Sequence, residues 1–109
     1  MMLELLYLAG CPNHDPTVDL VHLVLQAEGV PVEVQEILIR DYNDACAHRF
    51  PGSPTVRVNG EDVENLPPEQ FRVAFACRTY IVDGIPQGVP PRAWVEQAIR
   101  AAQKREEQR

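Results

Sequence analysis

Three cysteines, Cys11, Cys46 and Cys77, and three histidines, His14, His22 and His48, are the residues best suited to chemistry in this chain. Cys11-Pro12-Asn13-His14 sets a thiol three residues from an imidazole, directly after a compact apolar run. A thiolate is the nucleophilic form of cysteine, and a neighbouring imidazole or cation favours it. Cys77 is followed by Arg78, which supplies such a cation in the same way. Cys46 lies on the apolar side of a short helical pattern with Tyr42, Ala45 and Phe50, which predicts core packing. His22 falls on a polar helical stripe, and His48 follows Cys46 on a polar flank without an evident partner.

Other chemistries find little support. A structural zinc site needs four ligands, usually in closely spaced pairs, and the chain offers Cys11, His14 and Cys77 at most, so no metal and no cofactor are assigned. Two convergent thiolates would still suit a soft ion. The residues form no Gly-rich phosphate loop and no recognisable Ser-His-Asp spacing. A formal charge of -6 argues against general nucleic-acid binding, which requires basic surface.

The elements that must position these residues follow from hydrophobic periodicity. With 109 residues, 45% hydrophobic and 24% charged, the composition is that of one globular domain, assigned to 1–102. Residues 103–109 read as a frayed, mixed-charge tail. No apolar run reaches the roughly 20 residues of a membrane span. The start lacks a basic leader, so no membrane association is expected and the chain reads as cytoplasmic. An odd, widely spaced set of cysteines agrees with a reducing compartment.

Leu3 to Leu8 reads as a first strand that breaks at Gly10-Cys11-Pro12. Thr17 to Glu28 predicts a mostly buried helix with one narrow polar stripe, ended by Gly29 and Pro31. Asp15-Pro16 also has the form of an N-cap and first helical residue, which would leave Cys11 a turn upstream. Val32 to Ile39 predicts a second strand, covered on both faces, and Asp41 to Phe50 a short helix. Thr55 to Val58, Asn59-Gly60 and Glu61 to Val63 predict a type I′ hairpin. From Phe71 to Cys77 the pattern fits either a short helix or an irregular apolar segment. A last helix opens at Pro90-Pro91 and buries Trp94, Val95, Ala98, Ile99 and Ala102.

The expected fold is therefore α/β: a βαβ unit, then a helix, an antiparallel hairpin and a C-terminal helix. In that order of elements, with Cys11-Pro12-Asn13-His14 after the first strand and Ser53-Pro54-Thr55 before the hairpin, the chain resembles the thioredoxin-like superfamily. His14 stands where that family's second motif cysteine would be. The resemblance implies a single-thiol variant, with Cys11 as nucleophile and His14 as its partner. It implies a cis bond before Pro54, and a substrate-binding surface of Pro12, Ser53, Pro54, Thr55 and Arg78. Gly52-Ser53-Pro54-Thr55 and Cys77-Arg78-Thr79-Tyr80 also resemble small thioredoxin-like proteins, some labelled as related to mercury resistance. That likeness implies that Cys77 supplies a second thiol, on the same edge of the sheet and close enough to pair with Cys11. The expected function is thiol–disulfide redox chemistry on a protein or small-molecule thiol or disulfide. The alternatives are a non-catalytic binding module of the same fold and soft-metal or organomercurial handling by two thiols.

Overall fold

The computed structural model describes residues 1–108, and position 109 lies outside the described residues. The chain is mixed α/β. Strand β1 (Leu3–Tyr7) leads into helix α1 (His14–Glu28), then strand β2 (Val34–Leu38) and the short helix α2 (Tyr42–Ala47). Strands β3 (Thr55–Val58) and β4 (Glu61–Asp62) follow, then a 3-10 turn at Pro68–Gln70. Strands β5 (Tyr80–Val82) and β6 (Ile85–Gln87) precede the closing helix α3 (Arg92–Glu107).

Four strands form one sheet in the order β2-β1-β3-β4. β1 runs parallel to β2 and antiparallel to β3, and β3 runs antiparallel to β4. β1 is central, and the alternation of a strand sends its leucines to opposite faces. Leu3 and Leu5 join Val21, Val24 and Leu25 of α1 and Val95, Ile99 and Ala102 of α3 in the larger core. Leu6 faces the other way, into a smaller core with Ile39, Ala45 of α2 and Phe50.

Local chemistry accounts for the element boundaries. Gly29 takes φ 68°, and its N–H and that of Val30 return to the last carbonyls of α1. Asp41 caps α2 by accepting the Asp44 N–H at 2.7 Å, while Asp44 reaches back to the Arg40 N–H at 2.9 Å. Asn59 and Gly60, with φ 52° and 82°, make the expected turn between β3 and β4.

Several expectations fail for tertiary reasons. β2 is an edge strand, and none of its residues is fully buried, because α2 is only six residues long and covers little of it. α1 buries only Thr17, Val21, Val24 and Leu25, and Leu23 is exposed, so its solvent face is wider than one stripe. Tyr42 and Cys46 point to solvent while Ala45 and Phe50 fill the core, which overturns the packed assignment of Cys46. α3 continues to Glu107 where a frayed tail was expected, and Glu106 meets the N-terminal ammonium at 2.8 Å. The β5–β6 hairpin is an addition to the expected order of elements. Its turn is Asp83-Gly84, with φ 52° and 79°, a signal as plain as Asn59-Gly60. No helix among the described residues is long and apolar enough to cross a membrane.

Candidate functional site

Helix α1 starts at His14 with Asn13 as N-cap, two residues earlier than Asp15-Pro16 suggests. Cys11 therefore stands two residues before the cap, in a turn where its N–H bonds Leu8 C=O and its C=O accepts the His14 N–H, both at 3.2 Å. The thiol is half-buried and free. Pro12 is exposed beside it. Gly88 closes against this turn: a side chain there would collide with that of Asn13.

Leu8 connects the turn to the segment before β3. Its N–H donates to Ser53 Oγ at 3.0 Å, while its C=O holds Cys11. The Ser53–Pro54 peptide bond is cis. Ser53, Pro54 and Thr55 are all buried, and the Thr55 hydroxyl donates to Gly52 C=O at 2.6 Å. Among the expected site residues, the fold thus links Cys11 to Ser53, the residue before Pro54, through Leu8.

His14 is not engaged as expected. Its ring stacks on Tyr7, with centroids 3.8 Å apart, and its Nε2 lies 2.7 Å from Glu36 on β2. Nδ1 is buried and has no hydrogen-bond partner. The end of β1 and the carboxylate of β2 draw the imidazole toward the β2 edge, so no direct imidazole–thiol hydrogen bond forms. Nothing in the sequence singled out Glu36, which pairs with β1 only through the register Leu5↔Glu36.

Arg78, expected on the substrate-binding surface and as a cation for the Cys77 thiol, turns inward instead. It is 5% exposed and donates to Thr55 Oγ1 at 3.0 Å, Asp62 at 2.7 Å and Glu64 at 2.6 Å. Its guanidinium also lies over the Tyr80 ring, 4.5 Å from the centroid. Burial pushes the guanidinium pKa down, but Tyr80, Asp62 and Glu64 outweigh it and hold it above the ordinary value. The arginine's charge is spent inside this cluster.

Tyr80 is fully buried and donates its hydroxyl to Pro54 C=O. Burial raises its pKa, Arg78 opposes the rise, and the nearby carboxylates of Asp62 and Glu64 add to it. Tyr80 thus joins the Pro54 segment to the Arg78 cluster. Its edge-to-face contact with Trp94 ties both to α3.

Cys77 sits in the segment paired with Ser53, as a parallel bridge partner. Neighbours in an extended segment point to opposite sides, so the inward Arg78 leaves Cys77 facing solvent. It is exposed and free, beside Gln70, Thr79 and Ile81 in a shallow groove. No disulfide joins it to Cys11. Cys46 is exposed one helical turn from Tyr42, and its nearness raises the Tyr42 pKa. His22 is exposed on α1, and His48 bonds Asp44 at the end of α2. Among the described residues, no group of three or more His, Cys, Asp or Glu is placed to hold a metal ion. Comparison with protein-family descriptions, curated proteins and solved structures finds no match to this chain.

Proposed function

We propose that this chain is a thioredoxin-like thiol–disulfide redox protein in which Cys11 is the single nucleophile. The observation that carries this reading is the placement of a half-buried thiol between a central strand and a helix N-terminus, tied through Leu8 to Ser53 before Pro54. The strand order β2-β1-β3-β4 supports the fold assignment, with α1 and α3 over one face and α2 over the other.

In the proposed reaction the Cys11 thiolate attacks one sulfur of a disulfide R–S–S–R. A Cys11–S–S–R bond forms as the original S–S bond breaks, and R–S⁻ leaves with the electron pair. A second thiol from solution then attacks the mixed disulfide, restores the Cys11 thiolate and carries R away as a new disulfide. His14 occupies the position of a second motif thiol, so no intramolecular attack follows from that position. Tyr7 and Glu36 hold the imidazole in one orientation at the start of α1, away from a direct bond to the Cys11 thiol.

The test is exchange with 2-hydroxyethyl disulfide, followed by peptide mapping of the mixed disulfide. The expected result is modification at Cys11 faster than at the more exposed Cys46 and Cys77, and loss of turnover in Cys11→Ser. Unchanged turnover in Cys11→Ser, or preferential modification of Cys46 or Cys77, would sink the proposal.

A further inference from the structure

A polypeptide that binds beside a reactive thiol as an added strand needs free backbone donors and acceptors on the edge it joins. Beside Cys11 that edge is the segment before β3, and this chain has already filled it. The stretch after the 3-10 turn runs along it: Ala74 N–H donates to Phe50 C=O at 2.9 Å, Ser53 N–H to Ala76 C=O at 2.9 Å, and Arg78 N–H to Ser53 C=O at 2.8 Å. Tyr80 then takes Pro54 C=O through its hydroxyl. Both backbone groups of Ser53 are used, and its side chain is taken by Leu8.

The built-in strand is fixed rather than draped. Arg78 anchors it through Thr55, Asp62 and Glu64, all at hydrogen-bond distance and largely out of solvent. Gly52 permits the approach: a Cβ there would fall 2.9 Å from Arg78 Cβ, and its φ of 131° suits glycine. A competing peptide would have to displace backbone bonds and a buried guanidinium together.

We infer that the Cys11 site takes compact, low-molecular-weight disulfides and thiols and is closed to extended polypeptides, because residues 74–80 occupy the edge where a peptide strand would pair. This rests on the reading of Cys11 as nucleophile. The step is the exchange written above, with R a small aliphatic group, and the disulfide is the oxidant.

Two probes test it: 2-hydroxyethyl disulfide, and a ten-residue extended peptide carrying one cysteine as a mixed disulfide with 2-mercaptoethanol. Rates of modification at Cys11 are measured by mass spectrometry and divided by the rates of N-acetylcysteine with the same probes, which removes intrinsic reactivity. The expected normalised rate for the peptide is lower by roughly tenfold or more, a barrier of about 1.4 kcal/mol, because an extended backbone reaching Cys11 must collide with residues 74–80. Hydrogen exchange provides the second readout, in which the Ser53 and Arg78 amides stay protected when the peptide is added. Equal normalised rates, or loss of Arg78 amide protection on adding peptide, would overturn the closure while leaving Cys11 a nucleophile. If Cys11 reacts with neither probe, the nucleophile reading fails and the closure inference falls with it.

Discussion

Replacing Arg78 with methionine keeps most of the side-chain volume and the contact with Tyr80 but removes the charge. The guanidinium side chain is 4% exposed, and the carboxylates it serves, Asp62 and Glu64, are 21% and 15% exposed. Breaking a buried pair by removing one partner typically costs about 3–5 kcal/mol, because the remaining charge stays buried without compensation. The partial exposure of Asp62 and Glu64 gives them some water, which places Arg78→Met at the low end, about 3 kcal/mol. For a domain of this length that corresponds to a Tm lower by about 10–15 °C. Urea unfolding followed by Trp94 fluorescence is a suitable assay, because Trp94 is the single tryptophan and touches Tyr80. Neutralising the stranded carboxylates in R78M/D62N/E64Q is expected to recover most of the loss, since a cluster without charge leaves no unpaired ion. A single mutant within about 0.5 kcal/mol of wild type, or a triple mutant no better than the single one, would refute the account of Arg78 as a charge clamp.

Gly52→Ala is expected to lose about 2 kcal/mol in urea unfolding, from the strained φ and the crowding against Arg78. The Tyr80 hydroxyl stays protonated in the folded protein at pH values where an exposed tyrosine ionises. The unfolded state therefore binds fewer protons there, so stability falls as pH rises above about 10, and Tyr80→Phe is expected to flatten that fall in pH-dependent melting curves. Glu28 lies below its ordinary pKa, held chiefly by its hydrogen bonds to Arg100 at 2.9 and 3.0 Å. Its contribution is present above the ordinary carboxylate range and lost as pH falls through the lowered value, so Glu28→Gln and wild type should converge in Tm at acid pH. Iodoacetamide is expected to label Cys46 without denaturant, and protection of Cys46 in the native state would contradict its placement on α2.

The order of elements through the first hairpin was legible because it depends on short-range chemistry. Leu3 to Leu8 is apolar apart from Glu4 and became the central strand; Gly29 stopped α1; Asn59-Gly60 turned the chain. Asp83-Gly84, between Pro67-Pro68 and Pro90-Pro91, carries the same kind of information. Periodicity alone also located the α3 stripe of Val95, Ile99 and Ala102. Its last turns carry ion pairs to partners distant in sequence, Met1 and Glu61, which no local pattern announces.

The sequence by itself determined which residues flank the candidate site: Cys11 at the break after β1, and Ser53-Pro54-Thr55 before β3. Tertiary structure decided what their neighbours do. His14 is three residues from Cys11, yet Tyr7 and Glu36 turn its ring elsewhere, because β2 pairs with β1 in the register that brings Glu36 within reach. Arg78 follows Cys77 in sequence, yet its charge is consumed by Asp62 and Glu64, which no local pattern links to it. Cys46 has helical spacing to a buried face, but α2 is a short surface helix and leaves it in solvent. Spacing along the chain fixes which side of an element a residue occupies; which side is covered, and by which charge, depends on contacts between segments far apart in sequence.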